Sequence, residues 1–220
     1  MAAAVGTVGA FIAWLLVRDR RRRRRPARAS IVSPRHSTRV APDRSVHSMQ
    51  SAHLELPRSE LDRLWSPAQL ENLGRTYWCF LTRATFGLVR VFYTEEDRSV
   101  ALLARPLTLL RFDPPHYTFD AHRGSVTWAI RDGLLVSRAG RGSGFLALRV
   151  SRDSGVSEPA KLDVDVEVAN FYPSIASGLG TPVYRMTQSV VHVLVTHAFL
   201  RSLASLELDE SKVGRLRQSV

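Results

Sequence analysis

Lysine is nearly missing from this chain. Only Lys161 and Lys212 carry it, so 29 of the 31 basic residues are arginine. That bias reflects GC-rich codons as much as any binding role. Cysteine is scarcer still, with Cys79 alone. One cysteine excludes an intrachain disulfide and a thiolate metal site. Its neighbours Trp78 and Phe80 mark it as a buried packing thiol. Several reaction signatures are missing too. There is no Gly-x-Ser-x-Gly elbow for a nucleophilic serine. The stretch "RAGRGSGF" has Gly140, Gly142 and Gly144 beside Arg138 and Arg141, but no Lys-Ser or Lys-Thr pair follows. It reads as a glycine-rich turn, not a phosphate loop. His116 and His122 lack a third ligand at metal-binding spacing. No metal and no other cofactor is expected.

The body of the chain also lacks a basic excess. Residues 1–50 hold 11 arginines against Asp19 and Asp43, whereas residues 51–220 hold 20 basic and 18 acidic groups. The formal charge of +11 therefore belongs mainly to the N-terminal segment. A domain that grips a phosphate backbone carries its own basic face, so nucleic acid is not the expected partner.

What is present begins with an uncharged run, Met1 to Val17, ending in "AWLLV". As a helix it would span about 25 Å, slightly short of a bilayer's hydrocarbon core. Positive charge follows this run instead of preceding it, unlike a secretory signal. Arg18, Arg20, Arg21, Arg22, Arg23, Arg24 and Arg25 lie just beyond it. They are the expected contacts with anionic lipid headgroups, and they place that side in the cytoplasm. The expectation is a single-pass anchor over residues 1–17 in the cell membrane, with the body in the cytoplasm. Residues 18–45, with Pro26, Pro34 and Pro42 among serines and arginines, read as a basic disordered tether. Residues 46–208 form the folded domain, and 209–220 a polar tail.

Within the body, "HSMQSAHLELP" reads as a strand ending at Pro57. Ser59 is a plausible cap for "ELDRLW", and Ser66-Pro67 opens a second helix. In that helix Leu70, Leu73, Tyr77, Phe80 and Leu81 share one side. Short strands follow: "FGLVRVFYT", "VALLARPLTLLRF", "HYTFDA", "SVTWAI", "LLVSRA" and "GFLALRVS". Pro106 points to a bulge or an edge, and Asp132-Gly133 to a two-residue hairpin. "LDVDVEV" alternates cleanly, with Asp163, Asp165 and Glu167 opposite the apolar set, which predicts an antiparallel sheet with one buried face. Those carboxylates stand about 7 Å apart along the strand and read as a solvated outer face. The last element, "VYRMTQSVVHVLVTHAFLRSLASL", predicts a long helix with Met186, Val190, Val193, Leu194 and Ala198 on its apolar side.

The expected class is α+β: a curved antiparallel sheet of about seven strands gripping a long C-terminal helix, preceded by the membrane segment. This order, with the opening "HLELPRSELDRLW", resembles the helix-grip fold of the START-like, polyketide-cyclase and lipid-transfer superfamily. The resemblance covers roughly residues 46–208. It implies an apolar cavity between sheet and last helix, in a superfamily many of whose members bind lipids, sterols or polyketides. Phe119, Trp128, Gln188, His192 and Thr196 are the candidate pocket residues. The last three would orient a polar ligand head, while His197 belongs to core or rim. Three readings follow: a tethered, non-catalytic binder of a hydrophobic small molecule or lipid; a scaffold docking a protein partner on the uncharged face of the last helix; or a cyclase- or hydrolase-like enzyme using His192. No catalytic residue is assigned.

Overall fold

The structure is a computed structural model that describes residues 26–32, 38–43, 45–93, 98–103, 107–155, 157–172 and 193–211. The expected membrane run and its arginines, Arg18 and Arg20 to Arg25, lie outside the described residues. So do Gln188 and His192. Among the described residues, no helix is long and apolar enough to cross a membrane.

The fold is α+β, with a large open antiparallel sheet and helices on one face. Strand β3 (Val46–Leu56) sets the pattern, because Ser48, Gln50, Ala52, Leu54 and Leu56 are buried while His47, Met49, His53 and Glu55 face outward. Two helices follow it, α1 (Arg58–Leu64) and α2 (Pro67–Ala84). Then come β4 (Val89–Tyr93), β5 (Arg98–Leu102), β6 (Thr108–Phe112), β7 (His116–Phe119), β8 (Arg123–Asp132), β9 (Gly144–Arg152) and β10 (Ala160–Phe171). Helix α3 occupies residues 193–202 of the described chain and ends in a tight turn at Leu203–Ser205.

With β1 spanning Arg28–Val32, neighbour order across the sheet is β1-β3-β10-β9-β8-β6-β5-β4. β3 thus pairs with the last strand, β10, far away in sequence. The sheet has two ends. At the near end β3 passes into α1, β9 finishes and β10 begins. At the far end β8 and β10 finish, and α2 turns into β4.

Ten strands are present among the described residues, not about seven. Two of the additions lie in the stretch read as a disordered tether. β1 (Arg28–Val32) and β2 (Thr38–Val40) both run antiparallel to β3, end to end along its outer edge. Ala27 is buried in the core, with Ala29 and Ile31 packed against it. Every second residue is therefore apolar and inward, but two of these three side chains are alanine methyls, and they sit among arginine, serine and proline. The backbone ladder along β3 completes what burial alone would not hold.

Five local expectations are corrected. Pro57, not Ser59, is the N-cap of α1, and Ser59 lies in its first turn. "VALLARPLTLLRF" divides into β5 and β6, which pair as a hairpin. "LLVSRA" is not a strand. The β8–β9 connection runs over residues 133–143 and includes a 3-10 turn at Arg138–Gly140, so Asp132-Gly133 does not close a two-residue hairpin. The expected polar tail is docked as far as Ser211. The backbone N–H of Asp209 donates to the Thr76 hydroxyl at 2.7 Å, and that of Ser211 to Asn72 Oδ1 at 2.8 Å.

The core lies between the sheet's inner face and the helices. Trp78 stacks edge-on against Trp128 at 5.2 Å and tilts against Phe112 at 5.3 Å, while Tyr77 meets Phe199 edge-on at 5.1 Å. Gly74 makes room for Trp128, since a Cβ there would come within 3.3 Å of the indole.

Candidate ligand-binding site

An apolar hollow of about 60 Å³ opens at the near end. Its floor is the inner face of the sheet, from Leu54 of β3, Val150 of β9, and Leu162 and Val164 of β10. One wall comes from α1 and the first turns of α2, and the other from the chain after α3, at Leu203, Leu206 and Leu208. These elements meet there because the cap of α2 fixes its start. The Ser66 hydroxyl accepts the Gln69 N–H at 3.3 Å, and Pro67 occupies the first helical position. α2 then delivers Leu70 and Leu73 one turn apart to the hollow.

The mouth is aromatic. Trp65 and Phe119 lie 5.4 Å apart, and the Arg152 guanidinium sits 4.9 Å over the Trp65 ring. The Trp65 indole N–H donates to the Asp120 carbonyl at 3.2 Å. Backbone N–H groups of His122 and Arg123 hold the Asp120 carboxyl below the usual carboxylate range. Ser66 and Gln69 are the polar side chains of the lining, apart from the Trp65 indole N–H. Such a surface favours an apolar guest.

A polar seam lies deeper, along α3. His197 Nε2 is 2.6 Å from Gln50 Oε1, Gln50 Nε2 donates to the Ser48 hydroxyl at 3.3 Å, and Ser48 meets the Thr38 hydroxyl at 2.9 Å. Burial, and then the charge of Arg201, hold the His197 pKa below its ordinary value. Tyr77 lies beside Thr196, and burial pushes the Tyr77 phenol well above its ordinary range.

Of the five candidate pocket residues, Phe119 lines the mouth of the hollow. Trp128 is fully buried between Gly74 and Trp78, outside that lining. Thr196 is also fully buried, with its hydroxyl beside the Tyr77 phenol. Of the apolar side expected for the last helix, Met186 and Val190 lie outside the described residues, Ala198 is buried, Val193 is half-buried and Leu194 is exposed, while Val195, Phe199 and Leu200 are buried as well. The sequence reading missed the hollow's own walls, Leu54, Leu61, Trp65 and Leu203. Leu54 and Leu61 stand at regular apolar positions, but their meeting depends on how α1 folds back over β3.

The outer face of the sheet behaves as read from sequence. His53 pairs with Asp163, and Glu167 is held by Arg149 and by His47, the latter at 2.8 Å. Burial works against the Glu167 charge, but these hydrogen bonds outweigh it and keep its pKa low. No cluster able to hold a metal ion occurs among the described residues. Cys79 is half-buried, not fully enclosed.

No family model matches this chain, and no curated protein does. Solved structures of similar outline share little sequence. An uncharacterised protein from Rhizobium leguminosarum is 12% identical, with 82% of this chain and 99% of that one covered and a TM-score of 0.34. Ara h 8.0201 is 10% identical, with 73% and 99% covered and a TM-score of 0.34. An HSP90 activator from Plasmodium falciparum is 12% identical, with 75% and 99% covered and a TM-score of 0.32.

Proposed function

We propose that this domain binds a slim apolar chain, such as an acyl or isoprenoid chain, without covalent chemistry. One observation carries the reading: the near-end hollow is walled almost wholly by leucine, valine and aromatic side chains, with Trp65 and Phe119 half-buried among them. Ordinary small-molecule pockets measure about 300–1,000 Å³. At about 60 Å³ the hollow suits the end of a chain, not a fused-ring ligand. The element order supports a helix-grip architecture, in which a sheet and a last helix enclose the guest. Residues 1–17 would hold the domain at a membrane, a reading that rests on sequence alone.

The test is native mass spectrometry of the full chain purified from cells, followed by titration with a fluorescent fatty acid. The expected result is a co-purifying lipid-sized mass and saturable binding. Val150→Phe, which fills the hollow, should reduce that binding at least about tenfold while the protein stays folded. Unchanged binding in that variant would remove the hollow from the proposal.

A further inference from the structure

We infer that the far end of the sheet is a docking tip for an anionic lipid surface, separate from both the hollow and residues 1–25. Large exposed hydrophobic side chains gather there: Phe86, Leu88, Leu102, Leu103, Leu107 and Leu134, with Phe86 and Leu134 each 58% exposed and Leu103 51%. They come from three connections that the backbone ties together. The Leu103 N–H donates to the Leu88 carbonyl at 2.7 Å, and the Leu134 N–H donates to the Thr108 carbonyl at 3.1 Å. Val89 pairs with Leu102 and Ala101 with Thr108, so all six side chains stand at one end of β4, β5, β6 and β8.

Single exposed apolar side chains need no explanation, whereas six at one end of the sheet do. Two of them also sit where the backbone disfavours them. Phe86 has φ 54° and Leu103 has φ 62°, in the left-handed region that bulky residues seldom adopt. Glycine or asparagine would serve the turns better. Keeping large apolar groups there costs stability, and their outward display is what that cost secures.

The occupant is argued from charge and shape. Arg90 reaches over the tip, its Nε donating to the Gly87 carbonyl at 3.2 Å, and Arg138 and Arg141 are exposed further along the connection that carries Leu134. The nearby Asp132 is neutralised by Arg111 at 3.5 Å. A convex apolar tip flanked by arginines complements the headgroup layer of an anionic bilayer, with the side chains entering and the cations staying outside. The chain before Pro26 joins the body at the near end, about 35 Å away along β3, so the two contacts can be read separately.

The experiment is hydrogen exchange on the full chain, with vesicles of phosphatidylcholine and phosphatidylglycerol and with phosphatidylcholine alone. Anionic vesicles should slow exchange at residues 85–88, 102–103, 107–108 and 133–135, and neutral ones less. In the variant F86N/L103N/L134S this protection should fall roughly tenfold while any protection of residues 1–25 persists. Its melting temperature should hold or rise, because asparagine tolerates the left-handed backbone. Unchanged exchange at the tip on bound vesicles would overturn the inference. So would protection that grows with protein concentration without lipid, which would make the tip an interface between copies of this chain, and so would equal protection by both vesicles.

Discussion

His197 Nε2 lies 2.6 Å from Gln50 Oε1, and this contact joins the C-terminal helix to the inner face of the first long strand. Gln50 is almost fully buried, so its amide depends on His197 on one side and Ser48 on the other. Gln50→Ala should lower stability by about 1–3 kcal/mol, since it leaves His197 without its acceptor. Urea melts of the two proteins check this, with the loss read from the midpoint at constant slope.

The same contact sets a pH dependence. The folded-state pKa of His197 is lowered by burial and by Arg201. The unfolded chain therefore takes up a proton at this site first as pH falls. Stability from this group is complete above about pH 6.5 and declines as pH drops below that value toward the folded pKa. Melting temperatures at pH 7.5 and 5.5 should differ, and His197→Gln should shrink the difference. An unchanged difference would assign the dependence to other groups.

Much of the fold was legible, and the reason is period. Val164 and Val166 inside with Asp163 and Glu167 outside needed nothing but alternation. The Ser66-Pro67 helix start needed only local capping chemistry. β1 and β2 were hidden because each offers few apolar side chains among arginine, serine and proline, and β3, which holds them, lies elsewhere in the chain. The hollow was hidden for a related reason. Leu54, Leu61 and Leu203 belong to three elements whose meeting is a tertiary fact. On α3 the broad valine content conceals which side turns inward, and Thr196, read from its spacing as a group that orients a ligand's polar head, is fully buried beside Tyr77.

Ser66 offers a direct test of how the hollow's wall is positioned. Its hydroxyl satisfies the Gln69 N–H at the start of α2. Ser66→Ala should cost about 1 kcal/mol in thermal or urea unfolding. Ser66→Asp, which keeps an acceptor and adds a charge favourable to the helix dipole, should recover it. Loss of stability in both variants would place the effect in the hollow's lining, not in the cap.

The segment after α3 should behave as a strap on α2. Thr76 and Asn72 receive the backbone N–H groups of Asp209 and Ser211, and Arg83 pairs with the Asp209 carboxylate. The double variant N72A/T76V should speed amide exchange at Asp209 and Ser211 by about tenfold while leaving β9 and β10 protected. Because Leu206 and Leu208 line the hollow, its affinity for an apolar chain should fall with the strap.

Trp128 and Phe119 began as equal pocket candidates, and the structure separates them. Trp128 is enclosed by Gly74, Trp78 and the sheet, so its truncation is a core defect. Trp128→Ala should cost about 3–5 kcal/mol of stability. Trp128→Phe, which keeps most of the ring, should cost less and leave fatty-acid affinity nearly unchanged. Gly74→Val should mimic the damage from the opposite side, by about 1–3 kcal/mol, because its side chain would press on the same indole. Phe119 is half-buried at the mouth beside Trp65. Phe119→Ala should scarcely shift the melting temperature but weaken ligand binding several-fold, by removing one side of the aromatic rim. Should Trp128→Phe prove the variant that loses ligand, the guest would sit deeper, between α2 and the middle of the sheet, and the near-end hollow would be only its approach.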